Sequence, residues 1–312
     1  MAKTECFKIQ LLRNKEPGNW DVRKMDPIHQ ILNDKARFAL FPTIIVADPF
    51  LFVHKGRLCL FYEAKKYGQS GVIKMQYTDD LITWSKPVTV LKEKFHLSFP
   101  YVFEDGGGIY MVPETCAARE VRLYKADDES LTHFTYHKTL VEHNEAREDI
   151  EIDFSDSIIY KHNGNYYLFT TIKGKDGNEL YIYTSSHIEG PFLKHPSSPV
   201  DKSMKYGRNG GCIIKKGDSL FRVAQDCVKR YGDNVHVMKI DELNNKSYSE
   251  HLQMENIIPL SVPFYAEGGH QFYQTVFQGY TIVATDAKEY HEYPLAHKMY
   301  KLGRIPHKLF GK

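Results

Sequence analysis

DSIIYKHNGNYYLFTT, residues 156–171, is an apolar run, a polar Asn-Gly turn and a second apolar run. Strand side chains point alternately to opposite faces, and Asn-Gly accepts the positive φ angles of a tight turn, so the stretch reads as a β-hairpin. The pattern recurs in DPFLFVHKGRLCLFYE (48–63), FPYVFEDGGGIYMVPE (99–114), GCIIKKGDSLFRVAQD (211–226) and GHQFYQTVFQGYTIVATD (269–286). Its turn glycines, Gly56, Gly107, Gly164, Gly217 and Gly279, recur roughly every 50–60 residues, the kind of period that marks a repeat architecture.

A third strand follows each of the first four hairpins: GVIKMQYT from Gly71, REVRLYKA from Arg119, NELYIYTS from Asn178 and DNVHVMKI from Asp233. A polar turn and a weaker fourth strand come next, which completes the four-stranded antiparallel blade of a propeller. The fifth repeat lacks its outer strands. The N-terminal CFKIQLLRNKEPGNWDVRK resembles GVIKMQYTDDLITWSKP, with Trp20 matching Trp84, and is expected to complete that blade and close the ring. Closure of this kind removes open sheet edges. The expectation is one all-β, five-bladed β-propeller over residues 1–312. Its blades lie near 44–95, 96–150, 151–203, 204–255 and 256–286 plus 5–25. Two stacked β-sandwich domains are the alternative. No long amphipathic helix is expected. Residues 142–150 read as a linker, and 287–312 as a solvated basic tail (Lys288, Lys298, Lys301, Arg304, Lys308, Lys312) able to approach an anionic membrane or substrate.

Composition narrows the function classes. Aromatic residues make up 13% of the chain, with 21 Tyr and 18 Phe, which suits strand packing and sugar faces. A net charge of +2 gives no electrostatic footprint for nucleic acid. The five cysteines (Cys6, Cys59, Cys116, Cys212, Cys227) have no metal-type spacing and read as reduced thiols. The N-terminus shows no signal-peptide pattern, and no stretch has the length of a membrane span. A cytoplasmic location is expected.

Polar residues where innermost strands begin have no core-packing reason to be there. They are Asp48, His96, Ser98, Asp156, Arg208, Asn209, Glu267 and His270; a second ring, Glu63, Glu114, Asp226 and Asp286, ends the second strands. Each also has an ordinary structural reading. Asp48 precedes Pro49 and suits a turn; Arg208-Asn209-Gly210-Gly211 suits a loop; Glu63, Glu114 and Asp226 suit buried hydrogen-bonding partners. An arginine beside paired glycines at a channel mouth also suits a phosphate or carboxylate, since its fork donates two parallel hydrogen bonds. There is no P-loop, no GxSxG elbow and no zinc spacing. No cofactor is predicted, and a divalent metal in the channel is left open.

VADPFLF with FYEAK, HLSFPYVF with IYMVPE, DSIIYKHNGNYYLF, and GRNGG with VAQDC and RYG resemble the N-terminal propeller domain of plant glucosamine inositolphosphorylceramide transferase and its stand-alone bacterial relatives. The resemblance runs from about residue 47 to 286. The layout is more distantly similar to the family 43 glycosidases. That likeness implies a base at Asp48 and an orienting acid at Asp156, but where a general-acid Glu belongs on blade four this chain has Arg208 and Asn209. The resemblance therefore implies glycosyl transfer from a phosphate-activated donor, since a phosphate leaves with little protonation. The partners would be a sugar donor and a glycan or glycolipid acceptor, in surface glycan or glycolipid biosynthesis. Asp48 and Asp156 would be catalytic. His96, Ser98, Glu114, Arg208, Asn209, Asp226, Glu267 and His270 would bind substrate. The rivals are a glycoside hydrolase or phosphorylase taking its acid from Glu267 or Glu114, and a non-catalytic sugar-binding propeller.

Overall fold

The computed structural model describes residues 3–16, 19–142, 153–174 and 177–309, with backbone only from 304 onward. The linker expected at 142–150 lies outside the described residues except for Glu142, as do Lys312 and the side chains of Arg304 and Lys308.

Among the described residues the strands form five four-stranded antiparallel sheets, the blades of a propeller. The chain opens with β1 (Thr4–Asn14) and β2 (Asp26–Ile31). Blade one follows as β3 (Thr43–His54), β4 (Arg57–Lys66), β5 (Val72–Thr78) and β6 (Val88–Leu91). Blade two is β7 (Ser98–Asp105), β8 (Gly108–Glu114), β9 (Glu120–Ala126) and β10 (Phe134–Glu142). Blade three is β11 (Phe154–His162), β12 (Asn165–Lys173), β13 (Asn178–Ser185) and β14 (Leu193–Lys194). Blade four is β15 (Arg208–Lys216), β16 (Ser219–Asp226), β17 (Asn234–Leu243) and β18 (Tyr248–Met254). Blade five begins with β19 (Phe272–Phe277) and β20 (Tyr280–His291).

The repeat glycines make the hairpins. Lys55-Gly56, Gly106-Gly107, Asn163-Gly164 and Gln278-Gly279 each place two successive residues at positive φ, which is the type I′ turn that matches strand twist.

Blade five is completed by the N-terminus, in the order β19-β20-β1-β2. β1 pairs with β20 without a break from Thr4↔His291 to Asn14↔Thr281. Ile9 and Leu11 are fully buried and pack with Leu51, Leu58 and Tyr62 of blade one. The two tryptophans hold equivalent places, each following the third strand of its blade and lying on the preceding one. Trp20 contacts Phe221 of blade four, with ring centroids 5.8 Å apart, and Trp84 stacks on His29 of blade five at 4.2 Å.

Below the mouth the axis is filled. Phe50, Phe99, Ile158, Ile213 and Phe272, one from the inner region of each blade, belong to a single apolar cluster. Phe50 packs edge-on against Phe99 and Tyr273 at 4.8 and 5.1 Å. The inner strands therefore meet over an apolar floor.

The C-terminal region departs from expectation. Residues 294–309 form a helix, α1 (Pro294–Leu309), where a solvated tail without a helix was expected. Ala296 is buried with Cys6, Ile44 and Tyr293, and Tyr67 packs on that cluster. Lys288 belongs to β20, is almost fully buried, and donates to the backbone oxygen of Tyr231. Among the described residues no helix is long and apolar enough to cross a membrane.

Candidate active site

The innermost strands share a device at the mouth. In blades one, two and three the ladder register slips between Ala47 and Phe50, Ser98 and Tyr101, and Ser155 and Ile158. Within those bulges Asp48, Phe99 and Asp156 all take left-handed φ, at 53°, 46° and 50°. Such backbone costs free energy for a residue with a Cβ, and a bulge re-aims the side chain beside it. Asp48 and Asp156 are thus one repeat position in two blades, with Phe99 occupying it in blade two. In blade four the slip falls between Asn209 and Ile213 and takes in Gly210 and Gly211.

Those glycines have a packing reason. A Cβ on Gly210 would stand 2.8 Å from the backbone oxygen of His270, and one on Gly211 would stand 2.2 Å from that of Phe272. The inner strands of blades four and five approach too closely for side chains. The paired glycines meet the needs of that contact.

Two clusters of charge meet at the mouth. In the first, His270 lies between Asp48 and Asp286. Its Nε2 is 3.2 Å from Asp48 Oδ1, and its Nδ1 is 2.6 Å from Asp286 Oδ2. Asp286 also accepts from the backbone N–H groups of His270 at 2.8 Å, Gln271 at 3.1 Å and Asp48 at 3.2 Å. Asp48 Oδ2 accepts from the Phe99 N–H at 3.1 Å. Burial works against a charged His270, but the two carboxylates outweigh it and push its pKa up to about 9. Burial pushes Asp48 up to about 6, with the His270 charge opposing the rise. Asp48, His270 and Asp286 carry potential metal-ligand atoms within 4.8 Å of one another.

In the second cluster Arg208 Nε is 2.5 Å from Asp156 Oδ2, and Arg208 Nη2 is 3.7 Å from Glu114 Oε2. Glu114 accepts from the Asp156 N–H at 3.3 Å. Burial raises the Asp156 pKa, and the Arg208 charge opposes that rise. The guanidinium lies over the Tyr231 ring, 5.1 Å from its centroid. Asn209, fully buried, donates to the Asp156 carbonyl at 2.8 Å and lies 3.4 Å from Arg222 Nη1 through its Oδ1. Arg222 in turn forks onto Glu250 at 2.9 and 2.6 Å.

The remaining expected residues divide. Ser98 is buried opposite Glu114 in the blade-two ladder. His96 accepts the Gly71 N–H on Nδ1 at 2.9 Å, which leaves its proton on Nε2, 3.4 Å from Glu63 Oε1. Burial lowers the His96 pKa and raises that of Glu63 well above the usual range, which favours the uncharged form of each. Asp226 is turned away from the centre. It accepts from Val228 N–H at 2.8 Å and faces His236 at 3.1 Å, fastening loops of blade four. Glu267 is half exposed and paired with Arg230 at 3.0 Å on the rim, so it supplies no acid to the centre.

Two cavities flank the charged centre. One of about 280 Å³ is lined by Arg208, Tyr231, Ser155, Thr171, Lys173 and Asn178, among others. The other, about 490 Å³, is lined by His96, Lys65, Tyr67 and Tyr300, among others. Sequence reasoning missed Tyr231 as a site residue, although it falls in the RYG segment that carried the resemblance. It also missed Lys173 and Arg222, which sit mid-strand or at a strand end with no local signal.

Residues 10–261 match the family described as glucosamine inositolphosphorylceramide transferase 1, N-terminal. The rice (Oryza sativa subsp. japonica) glucosamine inositolphosphorylceramide transferase 1 is 36% identical over 220 residues, covering 67% of this chain and 28% of that protein. Its Arabidopsis thaliana counterpart is 33% identical over 219 residues, covering 67% of this chain and 27% of the relative. The chain thus spans a little over a quarter of the relatives it matches. Among solved structures, a family 117 glycoside hydrolase from Zobellia galactanivorans aligns with a TM-score of 0.57 at 14% identity, covering 90% of each chain. A family 43 glycoside hydrolase from Bacillus licheniformis aligns at 0.51 and 17% identity, covering 68% of this chain and 43% of its own. These likenesses show the five-bladed fold. By the extent of the family match and the identity to the plant proteins, the chain belongs to the family of the glucosamine inositolphosphorylceramide transferase 1 N-terminal domain.

Proposed function

We propose that the pocket transfers a sugar from a phosphate-activated donor to a hydroxyl of a glycan or glycolipid acceptor. The observation that carries this reading is the shared bulge position of Asp48 and Asp156, with Arg208 on the blade where a third acid would complete a hydrolase. Asp48 is the base. With its pKa near 6 it is ionised at neutral pH and accepts the acceptor hydroxyl proton. The new C–O bond forms at the anomeric carbon as the bond to the phosphate oxygen breaks, and the electron pair leaves with the phosphate. Arg208 and Lys173 in the smaller cavity face that developing charge. Glu63 and His96, whose burial favours their uncharged forms, are suited to sugar hydroxyls. The transferase named among the plant relatives supports the same chemistry, as does the presence of Arg208 at the start of the innermost strand of blade four.

The test is to incubate the protein with nucleotide-sugar and sugar 1-phosphate donors together with inositol-lipid and glycan acceptors, and to follow nucleotide or phosphate release. Transfer should depend on acceptor, rise with pH through about 6, and fall at least about a hundredfold in Asp48→Asn. Full activity in Asp48→Asn would sink the assignment of the base. Free sugar formed without acceptor would mean hydrolysis, and calorimetric binding of a glycan without turnover would mean a binding module.

A further inference from the structure

The loop between β2 and β3 carries an unusual surface. Within four residues it exposes Phe38 (72%), Leu40 (48%) and Phe41 (58%), flanked by exposed Lys35 and Arg37. Loops of water-facing proteins rarely hold aromatic side chains out together in this way.

The same face includes α1. Ala296 and Tyr300 turn inward, and the Tyr300 ring closes on Gly68. Lys298, Met299, Lys301 and Leu302 are exposed. Loop and helix are held together around Tyr67. Its N–H donates to the Pro42 carbonyl at 2.9 Å, and its hydroxyl bonds His297 Nδ1 at 2.9 Å. Arg37 reaches Glu292 at 3.3 Å, just before the helix, and the Tyr293 hydroxyl donates to the Asp34 carbonyl. Glu289 is held by Lys8 at 2.8 Å with Lys35 at 3.8 Å, Glu292 by Arg37, and the exposed Asp34 accepts the Thr43 N–H at 2.8 Å. Lys298 and Lys301 on the helix add exposed cations to the face, so its outward charge is on balance positive.

This face borders the pocket. β3 begins just after the loop and carries Asp48, while α1 follows β20, which carries Asp286. Tyr67 and Tyr300 line the cavity that reaches His96.

We propose that the 32–42 loop and the first turns of α1 form a docking face for an anionic lipid bilayer, with Phe38, Leu40 and Phe41 entering the interface and Lys298 and Lys301 meeting lipid headgroups. Apolar side chains ringed by cations are the composition that binds such interfaces. The proposal goes beyond the transfer chemistry, and its test needs no turnover, so either can fail alone.

The experiment is co-sedimentation of the whole chain with vesicles of pure phosphatidylcholine and of equal parts phosphatidylcholine and phosphatidylglycerol. Binding is expected to the anionic vesicles and to weaken as salt is raised. Lys298→Glu/Lys301→Glu and Phe38→Ser/Phe41→Ser, both at exposed positions, should each weaken it at least about tenfold while leaving the melting temperature unchanged. Absence of sedimentation with anionic vesicles, or equal binding by both double variants, would overturn the proposal. So would a solution dimer that Phe38→Ser/Phe41→Ser turns into a monomer, since the face would then join two copies of the chain.

Discussion

Arg208 Nε stands 2.5 Å from Asp156 Oδ2, and this pair fastens blade four to blade three at the mouth of the pocket. The guanidinium is also 3.7 Å from Glu114 Oε2, so one buried cation stands between two buried acidic side chains. Removing one partner of a buried pair leaves the other uncompensated. Arg208→Met should therefore lower stability by about 3–5 kcal/mol, and Asp156→Asn in the same chain should restore much of it. Urea denaturation at neutral pH measures both. A neutral Arg208→Met would show that the pair bears no such role.

The His270 cluster sets a pH dependence. Its folded pKa, about 9, lies above the ordinary value of 6.5. The folded chain holds that proton more tightly than the unfolded one, so its stabilisation is complete below pH 6.5 and is lost as pH rises through about 9. Stability of the parent protein should fall across that window, and His270→Gln should remove that part of the slope. Denaturation midpoints collected across the window decide it.

Ring closure makes the N-terminal strand as important as the centre of the chain. Leu11 is fully buried against blade one. Leu11→Ala should cost about 2–5 kcal/mol, the range of a core truncation, although it lies near one end of the sequence. A loss below about 0.5 kcal/mol, the range of a surface substitution, would mean that the strand only rests on the ring.

Two glycines separate backbone strain from site packing. Gly56 has φ +77° and open space where a Cβ would go, so Gly56→Ala should cost about 1–2 kcal/mol and leave ligand binding intact. A Cβ on Gly71 would stand 2.5 Å from the Leu97 carbonyl and 2.7 Å from Glu63 Oε1. Gly71→Ala should displace Glu63 and His96 and weaken sugar affinity. Calorimetry on the two variants, alongside their melting temperatures, tests the contrast.

Much of the fold was legible because its signals are local. Alternation and turn glycines identify each hairpin within sixteen or so residues, and the likeness of the N-terminal segment to blade one pointed to closure. The helix at 294–309 was not legible. Gly303 and Pro306 speak against it in the sequence, and its formation draws on Ala296 and Tyr300 packing against Tyr67 and its neighbours, which are far away along the chain. At the site, Asp48 and Asp156 were visible because each opens a repeat. Glu267 looked equivalent, yet it lies on the rim beside Arg230, since nothing local distinguishes a rim turn from a mouth turn.

The sequence alone determined the number of blades, the hairpin turns and which strands supply the mouth, because each depends on side chains a few residues apart. Only the tertiary structure decided the electrostatics. Asp48 meets Asp286, Asp156 meets Arg208, and His270 stands between two carboxylates, at separations of 238 residues for the first pair and 52 for the second. Charge interactions depend on distance in space and on the exclusion of water, and both arise only when five blades converge on one axis.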